Sequence, residues 1–99
     1  MIYKEPLPDG QHVRVTFELP SSLWAEKVTL VGDFNEWDTS KDELRQTGTN
    51  GTWHISLILP TGGEYHFRYL VNGRDWQNDW HADKYAPNRW GSDNSVVVT

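Results

Sequence analysis

From His12 to Leu19 apolar and polar residues alternate without a break. Val13, Val15, Phe17 and Leu19 fall on one face, and His12, Arg14, Thr16 and Glu18 on the other. Successive strand residues point to opposite faces, so a period of two marks a half-buried strand. The pattern returns over Thr52 to Leu59, with Trp53, Ile55, Leu57 and Leu59 inward. It is clearest over Glu64 to Val71, where Tyr65, Phe67, Tyr69 and Val71 oppose Glu64, His66, Arg68 and Leu70. Lys27 to Gly32 (KVTLVG) is β-branched and nearly all apolar, the composition of a central strand. Leu44 to Gln46 reads as a short strand and Ser95 to Thr99 as the last one. Pro20, Pro60-Thr61-Gly62-Gly63, Asn50-Gly51 and Asn72-Gly73 punctuate these runs, and the two Asn-Gly pairs suit tight hairpins, the second of type I′. No window shows a 3.6-residue period. Six or seven short strands in 99 residues predict an all-β protein, an antiparallel sandwich of immunoglobulin-like type. Residues 1–11, with Pro6, Pro8 and Gly10, read as an irregular lead-in, and residues 12–99 as a single β-sandwich domain.

Composition narrows the chemistry. A net charge of −5, with nine Lys and Arg scattered singly, disfavours nucleic acid and acidic membranes. With no cysteine there is no disulfide, thiolate metal site or cysteine nucleophile. The first ten residues, MIYKEPLPDG, hold no apolar run of signal-peptide type, and the expected location is cytoplasmic.

The segment from Asn72 to Asn94 breaks the pattern. It carries Trp76, Trp80, Trp90 and Tyr85, yet from Arg74 to Asn94 there is no Val, Ile, Leu, Met or Phe. A core segment would mix rings with aliphatics. Here the rings are set among Asp, Asn, Gln, His and Arg. Trp53 alternates with aliphatics and belongs to the core, but Trp37 and Trp76 sit in polar turns, flanked by Glu36 and Asp38 and by Asp75 and Gln77. Two readings of these rings stay open on spacing alone. They cover the ends of the sandwich, or they meet a ligand with an apolar face and a polar rim. A pyranose has that shape, since an indole stacked on its face removes apolar area from water while Asn, Gln, Asp and Arg pair with its hydroxyls.

Enzymatic signatures are missing. The acids sit mainly in turns, no pair is rigidly spaced for glycoside hydrolysis, and no nucleophile elbow or phosphate loop is present. Asp75, Asp79, His81 and Asp83 match no recognised ligand spacing, so neither metal nor cofactor is expected.

Residues 28–37, VTLVGDFNEW, resemble the V-x-L-x-G-x-F-N-x-W signature of family 48 carbohydrate-binding modules. Residues 65–76, YHFRYLVNGRDW, resemble their Y-x-[YF]-[KR]-[YF]-x-V-[DN]-G-x-W signature, and residues 91–97, GSDNSVV, their last strand. Such modules form the early-set domain of isoamylases and glycogen branching enzymes and the glycogen-binding domain of AMP-activated kinase β subunits. The resemblance implies an immunoglobulin-like sandwich that binds α-1,4-glucan (glycogen, starch or malto-oligosaccharide) without catalysis and can accompany a glucan-processing enzyme of the glycoside hydrolase 13 type. It places the two cradling tryptophans on Trp37 and Trp76, the basic contact on Arg68, the threading residue on Trp90, and the last-loop hydroxyl and amide on Ser92 and Asn94. It also implies a second possibility, an early-set scaffold that docks on such an enzyme and binds no sugar itself. Trp80 and Tyr85 take either a packing role or an extension of the platform.

Overall fold

A computed structural model describes residues 1–20, 25–48, 51–88 and 91–99. Asn50 and Trp90, both singled out above, lie outside the described residues. Two antiparallel sheets pack face to face. One runs β1 (Ile2–Pro6), β2 (His12–Leu19), β6 (Trp53–Pro60) and β5 (Arg45–Gln46). The other runs β4 (Asp42–Glu43), β3 (Val28–Gly32), β7 (Glu64–Val71), β10 (Asp93–Val98) and β9 (Lys84–Pro87), with β8 (Asp75–Gln77) also on β7. The architecture is the expected early-set, immunoglobulin-like sandwich. The described strands number ten rather than seven, because short edge pieces join the long ones.

The alternating faces meet as the sequence requires. Val13, Val15, Phe17 and Leu19 of β2 pack against Val28 and Leu30 of β3, Phe67 and Tyr69 of β7, and Val97 of β10. Phe17 and Phe67 cross edge to face at 5.1 Å, and Phe67 meets Tyr69 in the same way at 5.6 Å. Each such side chain, fully buried, contributes roughly 1.5–3 kcal/mol against the cost of ordering the chain. Trp53 is buried in this core as expected.

Two expectations are corrected. The lead-in is not irregular throughout, because Ile2–Pro6 forms β1 and pairs with β2 from Ile2 opposite Phe17 to Pro6 opposite Val13. Most of it is exposed, so it carries no apolar alternation, and Pro6 is tolerated because the strand is an edge. The short strand at Leu44 divides in two. Asp42–Glu43 pairs with β3, Arg45–Gln46 pairs with β6, and buried Leu44 marks the point where the chain crosses between sheets.

The edge of β7 away from β3 is shared. β10 takes Glu64 to Phe67 and β8 takes Tyr69 to Val71. Arg68 lies at the division. Asn78 bridges the gap, its amide donating to the carbonyl of Asp93 at 2.9 Å and its Oδ1 accepting from the Ser95 hydroxyl at 2.8 Å. Asn72 and Gly73, which link β7 to β8, both have positive φ, 55° and 71°, as a type I′ turn requires.

Candidate functional site

On β7 the residues that alternate with Phe67 and Tyr69 point away from the core. Three of their registered partners are Val31, Trp76 and Val96, which face Arg68, Leu70 and His66 respectively. Val31, Leu70 and Val96 are buried yet lie outside the main core, so the outer face of this sheet has an apolar floor of its own. Above it opens a groove of about 580 Å³ lined by Trp37, Arg68, Trp76 and Asn94, together with Asp33, His66 and Asn88.

Trp37 reaches the groove through a tightly specified turn. β3 ends at Gly32, where a Cβ would stand 2.5 Å from the carbonyl oxygen of His66, so only glycine permits the close approach of β7. Asp33–Asn35 then form a single 3₁₀ turn. The buried Asn35 amide plugs that turn. Its Oδ1 accepts from Gly32 N–H at 3.0 Å, and its Nδ2 donates to Leu30 C=O at 2.9 Å and to Asp42 at 2.8 Å. Glu36 and Trp37 follow in the left-handed region, φ 59° and 58°. Two consecutive non-glycine residues there cost on the order of 1–3 kcal/mol each, and such strain persists where surrounding structure enforces it and often marks function.

Asp33 completes the turn and was not singled out by the sequence. One carboxylate oxygen accepts from the Trp37 indole N–H at 2.9 Å, and the other accepts from the backbone N–H of His66 at 2.8 Å. The carboxylate thus fixes the indole and ties the turn to β7. Its only foreshadowing in sequence is that an acid follows the glycine that ends β3.

The opposite wall is Trp76, whose ring is 45% exposed beside Leu70. Between the walls Arg68 is half committed. One terminal nitrogen donates to Ser92 Oγ at 3.0 Å and to Asp93 C=O at 2.9 Å. Its Nε is buried without a partner among the described residues, and its other terminal nitrogen makes no hydrogen bond there. The Asn88 amide donates to Ser92 Oγ and to Asn94 Oδ1, both at 3.1 Å.

Of the six residues the sequence nominated, Trp37, Arg68, Trp76 and Asn94 line one groove. Ser92 is not among the lining residues, and its hydroxyl is already engaged by Arg68 and Asn88. Trp90 is outside the described residues. Trp80 does not extend the platform. It lines a separate groove with Glu18, Leu19, Pro20 and His81. Tyr85 closes its own loop, its hydroxyl donating to Asp79 C=O at 2.5 Å. Asp75, Asp79, His81 and Asp83 disperse. Asp79 turns inward to Tyr69, and Asp83 binds Lys4 and the N–H of Val98. His54 and His66 sit on different sheets.

Two tryptophans, a guanidinium and an amide are thus gathered in one groove of a β-sandwich. The model of carbohydrate-binding module 48 (isoamylase N-terminal domain) matches residues 6–86, and the chain belongs to this family of non-catalytic modules. Among curated relatives, the 1,4-alpha-glucan branching enzyme GlgB of Mycobacterium sp. (strain KMS) is 36% identical over 89 residues, 78% of this chain and 11% of that protein. The GlgB of Lactobacillus acidophilus is 42% identical over 62 residues, 63% of this chain and 9% of that protein. The chloroplastic phosphoglucan phosphatase LSF1 of Arabidopsis thaliana is 28% identical over 95 residues, 91% of this chain and 15% of that protein. The chain therefore spans about a tenth of the length of these relatives.

Proposed function

We propose that the groove binds α-1,4-linked glucan, with Trp37 and Trp76 stacked on glucose faces and Arg68 and Asn94 pairing with hydroxyls. The observation that carries this reading is the convergence of the two rings, one from the turn after β3 and one from β8, 39 residues apart, on either side of one half-free guanidinium. Branching enzymes and a phosphoglucan phosphatase among the relatives support an α-glucan as the ligand.

The chemistry is that of complementary surfaces. An indole face and the axial C–H groups of a pyranose each lose apolar contact with water on stacking. Arg68 donates in the plane of the hydroxyl rim, and a charged donor strengthens those bonds. Because Asp33 fixes Trp37 beforehand, little ordering remains to be done on binding. Two stacked rings and a few exposed hydrogen bonds net about −4 to −7 kcal/mol, roughly millimolar to ten-micromolar affinity. A neutral ligand makes that affinity nearly independent of salt. The module is proposed to act beside a glucan-processing enzyme, bringing it to polymer, and to work in the cytoplasm.

Titration with maltoheptaose, followed by tryptophan fluorescence, tests the reading. Saturable quenching or enhancement below several millimolar is expected. No response at that concentration overturns it and leaves the scaffold reading, for which co-purification with a branching or debranching enzyme is the corresponding observation.

A further inference from the structure

Trp80 is the most exposed large apolar side chain among the described residues, at 72%. Its backbone, by contrast, is held on both sides. Asp79 is only 1% exposed, and it is pinned from several sides, its two carboxylate oxygens also accepting from the Met1 ammonium at 2.9 Å. Its carboxylate accepts from the Tyr69 hydroxyl at 2.7 Å and from the His81 N–H at 2.7 Å, its own N–H donates to Ser95 Oγ at 2.8 Å, and its carbonyl accepts from Tyr85. The chain thus spends buried polar bonds on displaying an indole to water. A ring whose backbone is already ordered stacks on a ligand without that ordering cost.

Beside the ring lies a groove of about 280 Å³, lined by Met1, Glu18, Leu19, Pro20, Trp80 and His81. It shares no lining residue with the first groove. Yet the residue classes repeat: an indole, a carboxylate and an imidazole, as Trp37, Asp33 and His66 stand in the first. The Trp80 indole N–H and the His81 ring have no partner among the described residues. The Glu18 carboxylate meets only the Tyr3 hydroxyl, at 3.4 Å. Glu18 and the net charge of −5 disfavour a phosphate or an acidic ligand. A stable protein interface needs about 800 Å² from each partner, far more than one indole with Leu19 and Pro20 presents. One sugar unit needs only a ring face and a few hydroxyl partners.

We propose that Trp80, with Glu18 and His81 as its polar rim, is a second contact for α-glucan, separate from the groove of Trp37 and Trp76. This rests on the glucan reading of the first groove. A single ring binds a short oligosaccharide too weakly to matter. On a polymer, the second contact is made at high effective concentration once the first has engaged, so it adds avidity for long chains.

The test combines affinity electrophoresis in glycogen gels with maltotriose titration for the wild-type chain, Trp80→Ala, the Trp37→Ala/Trp76→Ala pair and the triple variant. Trp80→Ala is expected to weaken glycogen affinity about tenfold, while the maltotriose dissociation constant at the first groove and the melting temperature stay unchanged. The paired variant keeps a residual retardation at high glycogen that the triple variant loses. Trp80→Ala running with the wild type overturns the second contact. So does an equal loss of maltotriose affinity, which would place Trp80 in the first site, or a change in sedimentation, which would make the ring a self-contact. Retardation that survives the paired variant undiminished but vanishes with Trp80→Ala would keep the Trp80 contact and overturn the first groove instead.

Discussion

Neighbouring residues of β7 do opposite work. Phe67 and Tyr69 point into the sandwich, fully buried and locked edge to face against each other and Phe17. His66 and Arg68 point out, half-buried, and line the groove. The inner pair is held by area removed from water and by packing. Arg68 is held by hydrogen bonds to Ser92 and Asp93 where β10 gives way to β8, and His66 is tied at its backbone to Asp33. A two-residue period therefore lets one strand carry the stability of the fold on one face and the proposed glucan contact on the other. The two faces should fail in different ways, one in melting temperature and the other in affinity.

Phe67→Ala should show the largest effect. Removing a buried ring at the centre of an aromatic cluster costs about 3–5 kcal/mol, a large part of what a domain of this size has, so thermal denaturation should find it marginally folded or unfolded. Arg68→Ala, one residue away, should leave the melting curve nearly in place. It should weaken malto-oligosaccharide binding about fivefold to tenfold, the worth of one or two charge-assisted hydrogen bonds, as isothermal titration would measure. A comparable drop in melting temperature would show that Arg68 holds β8 and β10 together rather than meeting a ligand. Asp33→Ala releases the Trp37 indole without touching the ring, and a roughly threefold loss of affinity is expected from the lost preorganisation. Asp33→Asn, which keeps an acceptor, should recover part of it.

The smallest effect separates the faces by pH. Burial raises the Tyr69 hydroxyl well above its ordinary value of 10.0, and the neighbouring Asp79 carboxylate reinforces this by charge and by accepting its proton. The folded state keeps that proton after the unfolded chain has lost it, so stability holds below about pH 10 and declines as the pH rises beyond it. Chemical denaturation across that range reads the decline. Tyr69→Phe should remove this pH dependence while modestly lowering stability at neutral pH, because the buried Asp79 carboxylate loses one of its donors and keeps the Met1 ammonium and the His81 N–H.

Much of this was legible in the sequence, and what was hidden has a physical pattern. The long strands announced themselves because one face of each is buried, which forces alternation. β1 did not, because an exposed edge strand such as Ile2–Pro6 has no face to bury and its Lys4 and Glu5 look like loop. β8 and β9, three and four residues among polar side chains, were hidden for the same reason. Trp37 and Trp76 were nominated because rings in polar turns are conspicuous, and the geometry brought them to one groove. Asp33, His66 and Asn88 could not be read. Asp33 matters through the backbone of His66, 33 residues later, and that proximity exists only once Gly32 lets β3 and β7 close. Trp80 was open in sequence between packing and an extension of the platform. The inward turn of Asp79 sends it elsewhere.

The central claim is that two walls, one from the turn after β3 and one from β8, hold one glucan. Trp37→Ala and Trp76→Ala, each titrated with maltoheptaose beside its melting curve, address it directly. Burying about 100 Å² of apolar contact per ring is worth roughly 2.5 kcal/mol, so each variant should lose on the order of fiftyfold in affinity with little change in melting temperature. Two variants that bind as tightly as the wild type would contradict the account, leaving the sandwich intact and the groove without its ligand.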